Sequence, residues 1–102
     1  MHGEYKTPNG KLIAVDLEVA DGKLRDVMVS GDFFLYPEEA LADMTGALEG
    51  LSAELSIAEI AEQVRAAMPR DAQLLGSSPD ALATAVRRAL SGDETVRPEG
   101  LQ

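Results

Sequence analysis

A chain of 102 residues, 45% of them hydrophobic, has the size of one small domain and enough apolar side chains for a modest core. A core of that size leaves little room for an enclosed active site. The absence of cysteine excludes disulfides, thiolate metal sites and thiol chemistry, and 9 Lys+Arg against 18 Asp+Glu give a net charge of −9 that makes nucleic acid a poor direct partner.

The opening residues Met1-His2-Gly3-Glu4-Tyr5 carry no apolar signal-peptide run, and no segment approaches a membrane span, so a cytoplasmic setting is expected. Residues 4–7 read as a short strand, and Pro8-Asn9-Gly10 as a hairpin turn, because Asn-Gly accepts positive φ angles. Residues 11–19 alternate, with Ile13, Val15, Leu17 and Val19 on one face and Asp16 and Glu18 on the other. Ala20-Asp21-Gly22 reads as a second hairpin turn and 23–30 as a third strand. Val27, Val29 and Phe33 share its inner face if the chain stays extended. These elements predict a three-stranded antiparallel meander with one face open to a covering layer.

The remaining two-thirds reads as helices. Pro37 suits a first helical turn, with Glu38 and Glu39 near the positive end of the helix dipole and Ala40, Leu41, Met44, Ala47 and Leu48 as the apolar stripe before Gly50. Ser56-Ile57-Ala58-Glu59 matches a capping box, and Ile57, Ile60, Ala61, Val64, Ala67 and Met68 follow at helical spacing until Pro69. A third helix starts at Ser78-Pro79-Asp80 and buries Leu82, Ala85, Val86, Ala89 and Leu90. Residues 1–92 thus form a single domain, and 93–102 a polar tail expected to fray. Strands followed by helices predict an α+β fold, with about three helices packed on one face of a small antiparallel sheet.

No catalytic constellation accompanies this architecture. His2, the only histidine, reads as a stray terminal residue rather than a metal ligand or proton relay. The serines fall at strand ends, caps and turns, and Gly10, Gly22 and Gly31 are separated by whole strands, so no phosphate-cradling loop exists. Leu75-Gly76-Ser77-Ser78 reads as an ordinary helix cap, and Glu4, Asp16 and Glu18 as a solvated sheet face. No catalytic residue and no metal site is assigned.

Three of the four aromatic residues stand in Gly31-Asp32-Phe33-Phe34-Leu35-Tyr36, where strands give way to helices. In an extended segment Phe33 and Phe34 point to opposite sides. Either both rings enter the core at a structural corner, or one of Phe33, Phe34 and Tyr36 is an exposed anchor for a partner. Asp32 caps the turn after Gly31.

Taken in order, Lys6-x-x-x-Gly10-Lys11-Leu12, the hairpin Asp21-Gly22-Lys23-Leu24, the third strand, Gly31-Asp32-Phe33-Phe34, Pro37-Glu38-Glu39 and Leu48-Glu49-Gly50 resemble the C-terminal accessory domain of lipoate–protein ligase. In some organisms that domain is a separate small subunit. The order of elements matches over residues 5–90, with specific marks confined to 6–50.

The resemblance implies a fold similar to iron–sulfur scaffold and sulfur-acceptor proteins, whose sulfur chemistry a cysteine-free chain cannot perform. It also implies a non-catalytic role. Such ligases use ATP and Mg²⁺ to form lipoyl-adenylate and transfer the lipoyl group to a carrier lysine, with ATP, Mg²⁺ and lipoate held by the large domain that this chain lacks. The implied partner is a catalytic subunit, and through it a lipoyl carrier protein. The missing domain implies either a separate subunit or a piece of a longer protein, and the Met1 start favours the former. The resemblance makes Asp32, Phe33, Phe34 and Tyr36 the expected partner-binding residues. Lys6 and Lys11 are candidates for approaching the partner's active site, against the plainer reading of exposed edge-strand lysines. The alternative is a free-standing adaptor that shares the fold without a role in lipoylation.

Overall fold

In a computed structural model describing residues 1–7 and 11–91, the first third of the chain forms an antiparallel sheet in the order β1-β2-β3. Its strands are β1 (His2–Lys6), β2 (Leu12–Ala20) and β3 (Lys23–Gly31). The alternation holds from Val15 to Glu18: Val15 and Leu17 are buried with Ile13, and Asp16 and Glu18 are exposed, while Ala14 on the opposite face is buried too and Val19 is half-buried. Asp21 and Gly22, both at positive φ, form the two-residue hairpin between β2 and β3, whose twist matches that of paired strands. The predicted turn Pro8-Asn9-Gly10 and the tail 93–102 lie outside the described residues.

One irregularity shapes β3. Asp16 pairs with Met28 but Glu18 with Arg25, so Leu17 faces two residues, Asp26 and Val27. Asp26 takes φ +53°, and the extra residue lets both Leu24 and Val27 turn inward. The Val27 N–H at this bulge donates to Glu49 Oε2 at 2.7 Å. Glu49 is the residue that ends the first helix, so one side chain ties a helix end to a strand defect.

Helices α1 (Ala40–Leu48), α2 (Ile57–Ala67) and α3 (Pro79–Ser91) complete the α+β architecture. α3 lies on β1 and β2, α1 lies on β3, and α2 rests against both helices. The shared core is aliphatic, joining Ile13 and Leu24 of the sheet with Met44, Leu48, Ile60 and Leu82 of the helices. The capping box of α2 is formed as its sequence predicts: Glu59 N–H donates to Ser56 Oγ at 3.2 Å, and Ser56 N–H to Glu59 Oε1 at 2.8 Å. The Ser56 backbone amide, and then its hydroxyl, hold the Glu59 carboxyl below the usual carboxylate range. Of the predicted α2 stripe, Ile60, Ala61 and Val64 are buried, whereas Ile57 at the first turn is exposed.

α3 comes close to β1 because small residues meet there. Ala85 and Ala89 are buried over Gly3, and a methyl group on Gly3 would overlap the Ala85 carbonyl oxygen and the Ala89 amide nitrogen. Arg88 closes the same contact, donating to the Glu4 carbonyl at 3.0 Å with its guanidinium 5.2 Å from the centroid of the Tyr5 ring. Arg87 reaches the other way and donates to the Ala53 carbonyl at 2.8 Å, holding the connection between α1 and α2.

Pro37 stands at the first turn leading into α1, and that turn is of the tighter 3₁₀ kind: the amides of Ala40, Leu41 and Ala42 bond back to the carbonyls of Pro37, Glu38 and Glu39. One expectation needs correction: His2 is not a stray terminal residue. It pairs in register with Asp16 as the first residue of β1, its Nδ1 lies 2.7 Å from Asp16 Oδ1, and its Nε2 lies 2.8 Å from Glu4 Oε2.

Candidate interaction surface

The aromatic run leaves the sheet through a close backbone crossing. Gly31, at φ +148°, packs against the Leu12 carbonyl where a side chain would collide, and Asp32 N–H donates to the same oxygen at 2.9 Å. The chain then forms β4 (Phe34–Tyr36), which pairs antiparallel with β5 (Gln73–Leu75) in a separate two-stranded ribbon. The register sets Phe34 opposite Leu75, Leu35 opposite Leu74 and Tyr36 opposite Gln73.

The period of two decides which rings are buried. Phe33, Leu35 and Leu74 are half-buried against the core. Phe34, Tyr36 and Leu75 face outward, with 76%, 71% and 57% of their surface exposed. Phe34 and Leu75 are cross-strand partners and Tyr36 lies two residues along, so they form one apolar face, with Gln73 beside Tyr36. Beyond Tyr36 the surface turns concave, and Pro37, Glu38 and Glu39 continue its lining from Phe34, Leu35 and Tyr36.

The residues expected to bind a partner therefore separate. Phe34 and Tyr36 are displayed, Asp32 is exposed at the ribbon's entry, and Phe33 belongs to the core boundary. Leu75, read from the sequence only as part of the cap before α3, and Gln73, not singled out there, complete the face as residues of β5. Their only signal is a three-residue segment with apolar Leu74 and Leu75 before Gly76, too short for periodicity to register. The Lys11 side chain lies along Gly76 at the end of β5, its Cγ 3.3 Å from the position a Cβ would take there. Lys6 is exposed on β1, one of the two outer strands of the three-stranded sheet.

Elsewhere among the described residues, the His2 and Ser78 side chains have structural partners. Both nitrogens of His2 face carboxylates, so the imidazolium satisfies both contacts while the neutral ring can donate to only one. Its pKa is raised, chiefly by the bond to Glu4 and then by that to Asp16, and neither nitrogen remains for a substrate. Ser78 Oγ accepts from the Ala81 amide at 3.0 Å as a cap of α3. Among the described residues no group of three or more His, Asp or Glu side chains is placed to hold a metal ion. No helix there is long and apolar enough to cross a membrane. Nor is a polar or charged residue fully buried among them.

The described residues form an α+β domain with an aliphatic core and an outward aromatic ribbon. No family model matches the chain. It is similar to the curated protein "Lipoate-protein ligase A subunit 2" of Thermoplasma acidophilum, 37% identical over 50 residues that make up 49% of this chain and 52% of that protein. The chain thus matches about half the length of that relative. It is also similar to a solved chain from the structural analysis of an archaeal lipoylation system, a bi-partite lipoate protein ligase and its E2 lipoyl domain from Thermoplasma acidophilum. That chain superposes with a TM-score of 0.69 at 26% identity, covering 85% of this chain and 93% of its own length. The resemblance to the small subunit of a split lipoate–protein ligase thus holds in sequence over half the chain and in fold over most of it.

Proposed function

We propose that this chain is the non-catalytic accessory subunit of a split, cytoplasmic lipoate–protein ligase. It binds the catalytic subunit and completes the form competent for ATP-dependent lipoate adenylation, before the lipoyl group passes to a lysine of a carrier protein. ATP, Mg²⁺ and lipoate belong to the catalytic subunit, and the carrier meets this chain only through that subunit. The observation that carries the reading is the fold-level likeness over 85% of the chain to a solved chain of a bi-partite ligase system. The outward Phe34 and Tyr36 support it, because a subunit without its own chemistry acts through a contact surface.

Mixing this chain with a separately purified catalytic subunit, lipoate and ATP, and following pyrophosphate release, tests the proposal. Stimulation beyond either protein alone is the expected result. No complex and no stimulation would return the chain to the adaptor reading. Within the complex, Phe34→Ala weakens binding while leaving the melting temperature nearly unchanged. An equal loss of folding would place Phe34 in the core instead.

A further inference from the structure

The displayed surface has a chemical character that the sequence run alone does not convey. Its centre is apolar: Phe34, Tyr36 and Leu75 stand on one face of the β4–β5 ribbon. Its adjoining rim is anionic, since the concavity that begins at Phe34 and Tyr36 also takes in Glu38 and Glu39, with no cation among its lining residues. Asp32 adds a third exposed carboxylate at the ribbon's entry, where the Lys11 side chain lies along Gly76, so the acidic side of the rim is the Tyr36 end. The two rings together hold on the order of 300 Å² of accessible surface. A stable interface takes about 800 Å² from each partner, so the ribbon face serves as the centre of a contact whose outer part includes the carboxylates.

Resting on the reading of this chain as an accessory subunit, we propose that the β4–β5 ribbon face docks a basic-rimmed apolar protrusion of the catalytic subunit. An apolar side chain of the partner seats among Phe34, Tyr36 and Leu75, and Lys or Arg side chains around it meet Glu38 and Glu39. A second copy of this chain is a poor occupant. A two-fold contact through this face sets Glu38 and Glu39 near their own counterparts, and both copies carry a net charge of −9. Strand β5, which supplies Leu75 and Gln73, is thereby part of the recognition surface.

The test measures affinity for the separately purified catalytic subunit, at low and at high salt, using the full chain and three variants. Phe34→Ala and Leu75→Ala each weaken binding about thirtyfold, as central apolar contacts do. The double variant Glu38→Lys, Glu39→Lys weakens it about tenfold at low salt, and less at high salt where rim charges are screened. Melting temperatures within a few degrees of the unaltered chain are expected, since all four side chains are exposed. Hydrogen exchange on the unaltered pair supplies an independent readout, with the amides of β4 and β5 slowing in the complex. Unaltered affinity in all three variants, or a complex that leaves the ribbon amides unprotected, overturns the proposal and leaves the subunit reading standing. Failure of the unaltered chain to bind the catalytic subunit overturns the subunit reading itself. A homodimer of this chain that Phe34→Ala dissociates would show that the face serves self-association, which also overturns the proposal.

Discussion

One substitution made at two glycines should move stability in opposite directions. Gly3 lies in β1 beneath α3, and a methyl group added there would overlap the Ala85 carbonyl oxygen and the Ala89 amide nitrogen, with Ala89 Cα only 2.9 Å away. All three obstacles are helix backbone, so no side-chain rotation relieves them and α3 must lift from the sheet. Overpacking of a tight contact costs about 1–3 kcal/mol, and a backbone obstacle puts Gly3→Ala at the upper end, about 3 kcal/mol. For a domain near this length that is a fall in melting temperature of roughly 12–24 °C. Gly46 lies inside α1 with nothing within 4 Å of an added methyl group. Gly46→Ala restricts the unfolded chain and favours the helix, a gain of about 0.5–1 kcal/mol. Thermal unfolding followed by far-ultraviolet circular dichroism measures both. A Gly3→Ala variant as stable as the unaltered chain would refute the close packing of α3 on β1, and a destabilised Gly46→Ala would refute the open environment of α1.

Three further outcomes follow from single contacts. Glu49→Ala removes the acceptor of the Val27 amide at the bulge and costs about 1–2 kcal/mol in chemical denaturation; Glu49→Gln keeps an acceptor and recovers most of it. Ser56→Ala breaks the capping box of α2 and costs about 1 kcal/mol, with a matching drop in the denaturation midpoint. His2 has a raised pKa in the folded chain, so its contribution is fully present below the unfolded value of about 6.5 and is lost as pH rises through the folded value. Because the ring is partly solvated, that contribution stays on the scale of exposed ion pairs. His2→Gln should flatten the stability profile between mildly acid and mildly alkaline pH; a profile that keeps its slope would assign the effect to another group.

The parts of the fold that the sequence makes legible are those set by local rules. Alternation along 15–18, the Asp21-Gly22 turn and the Ser56–Glu59 cap each depend on neighbours a few residues apart, and each appears as read. What was not legible depends on contacts between distant segments. β5 is three residues long and extended only because residue 75 pairs with Phe34, which lies 41 positions earlier. His2 reads as a loose terminal residue until the register sets it beside Asp16. Pro37 carries the local signature of a helix start and keeps it, but that the residues just before it are a paired strand follows only from the meeting of Tyr36 with Gln73. The direction of each ring in the aromatic run was undecided for the same reason. Alternation names the two faces, and only the ribbon register says which face meets the core.

That register gives the composition a meaning it lacks on its own. The fully buried core is built from aliphatic side chains alone, and none of the four aromatic residues lies within it. Tyr5 and Phe33 sit at its boundary, and Phe34 and Tyr36 stand outside. Phenylalanine is among the residue types most often buried, so 76% exposure of Phe34 beside an equally displayed Tyr36 is the informative departure. Folding does not call for it, because Leu35 and Leu74 on the opposite face already tie the ribbon to the core. An exposed apolar face favours self-association, and a net charge of −9 opposes it. In the proposed complex the acidity would thus have a second effect, discouraging contact between copies of the chain and favouring a partner of opposite charge at the ribbon face.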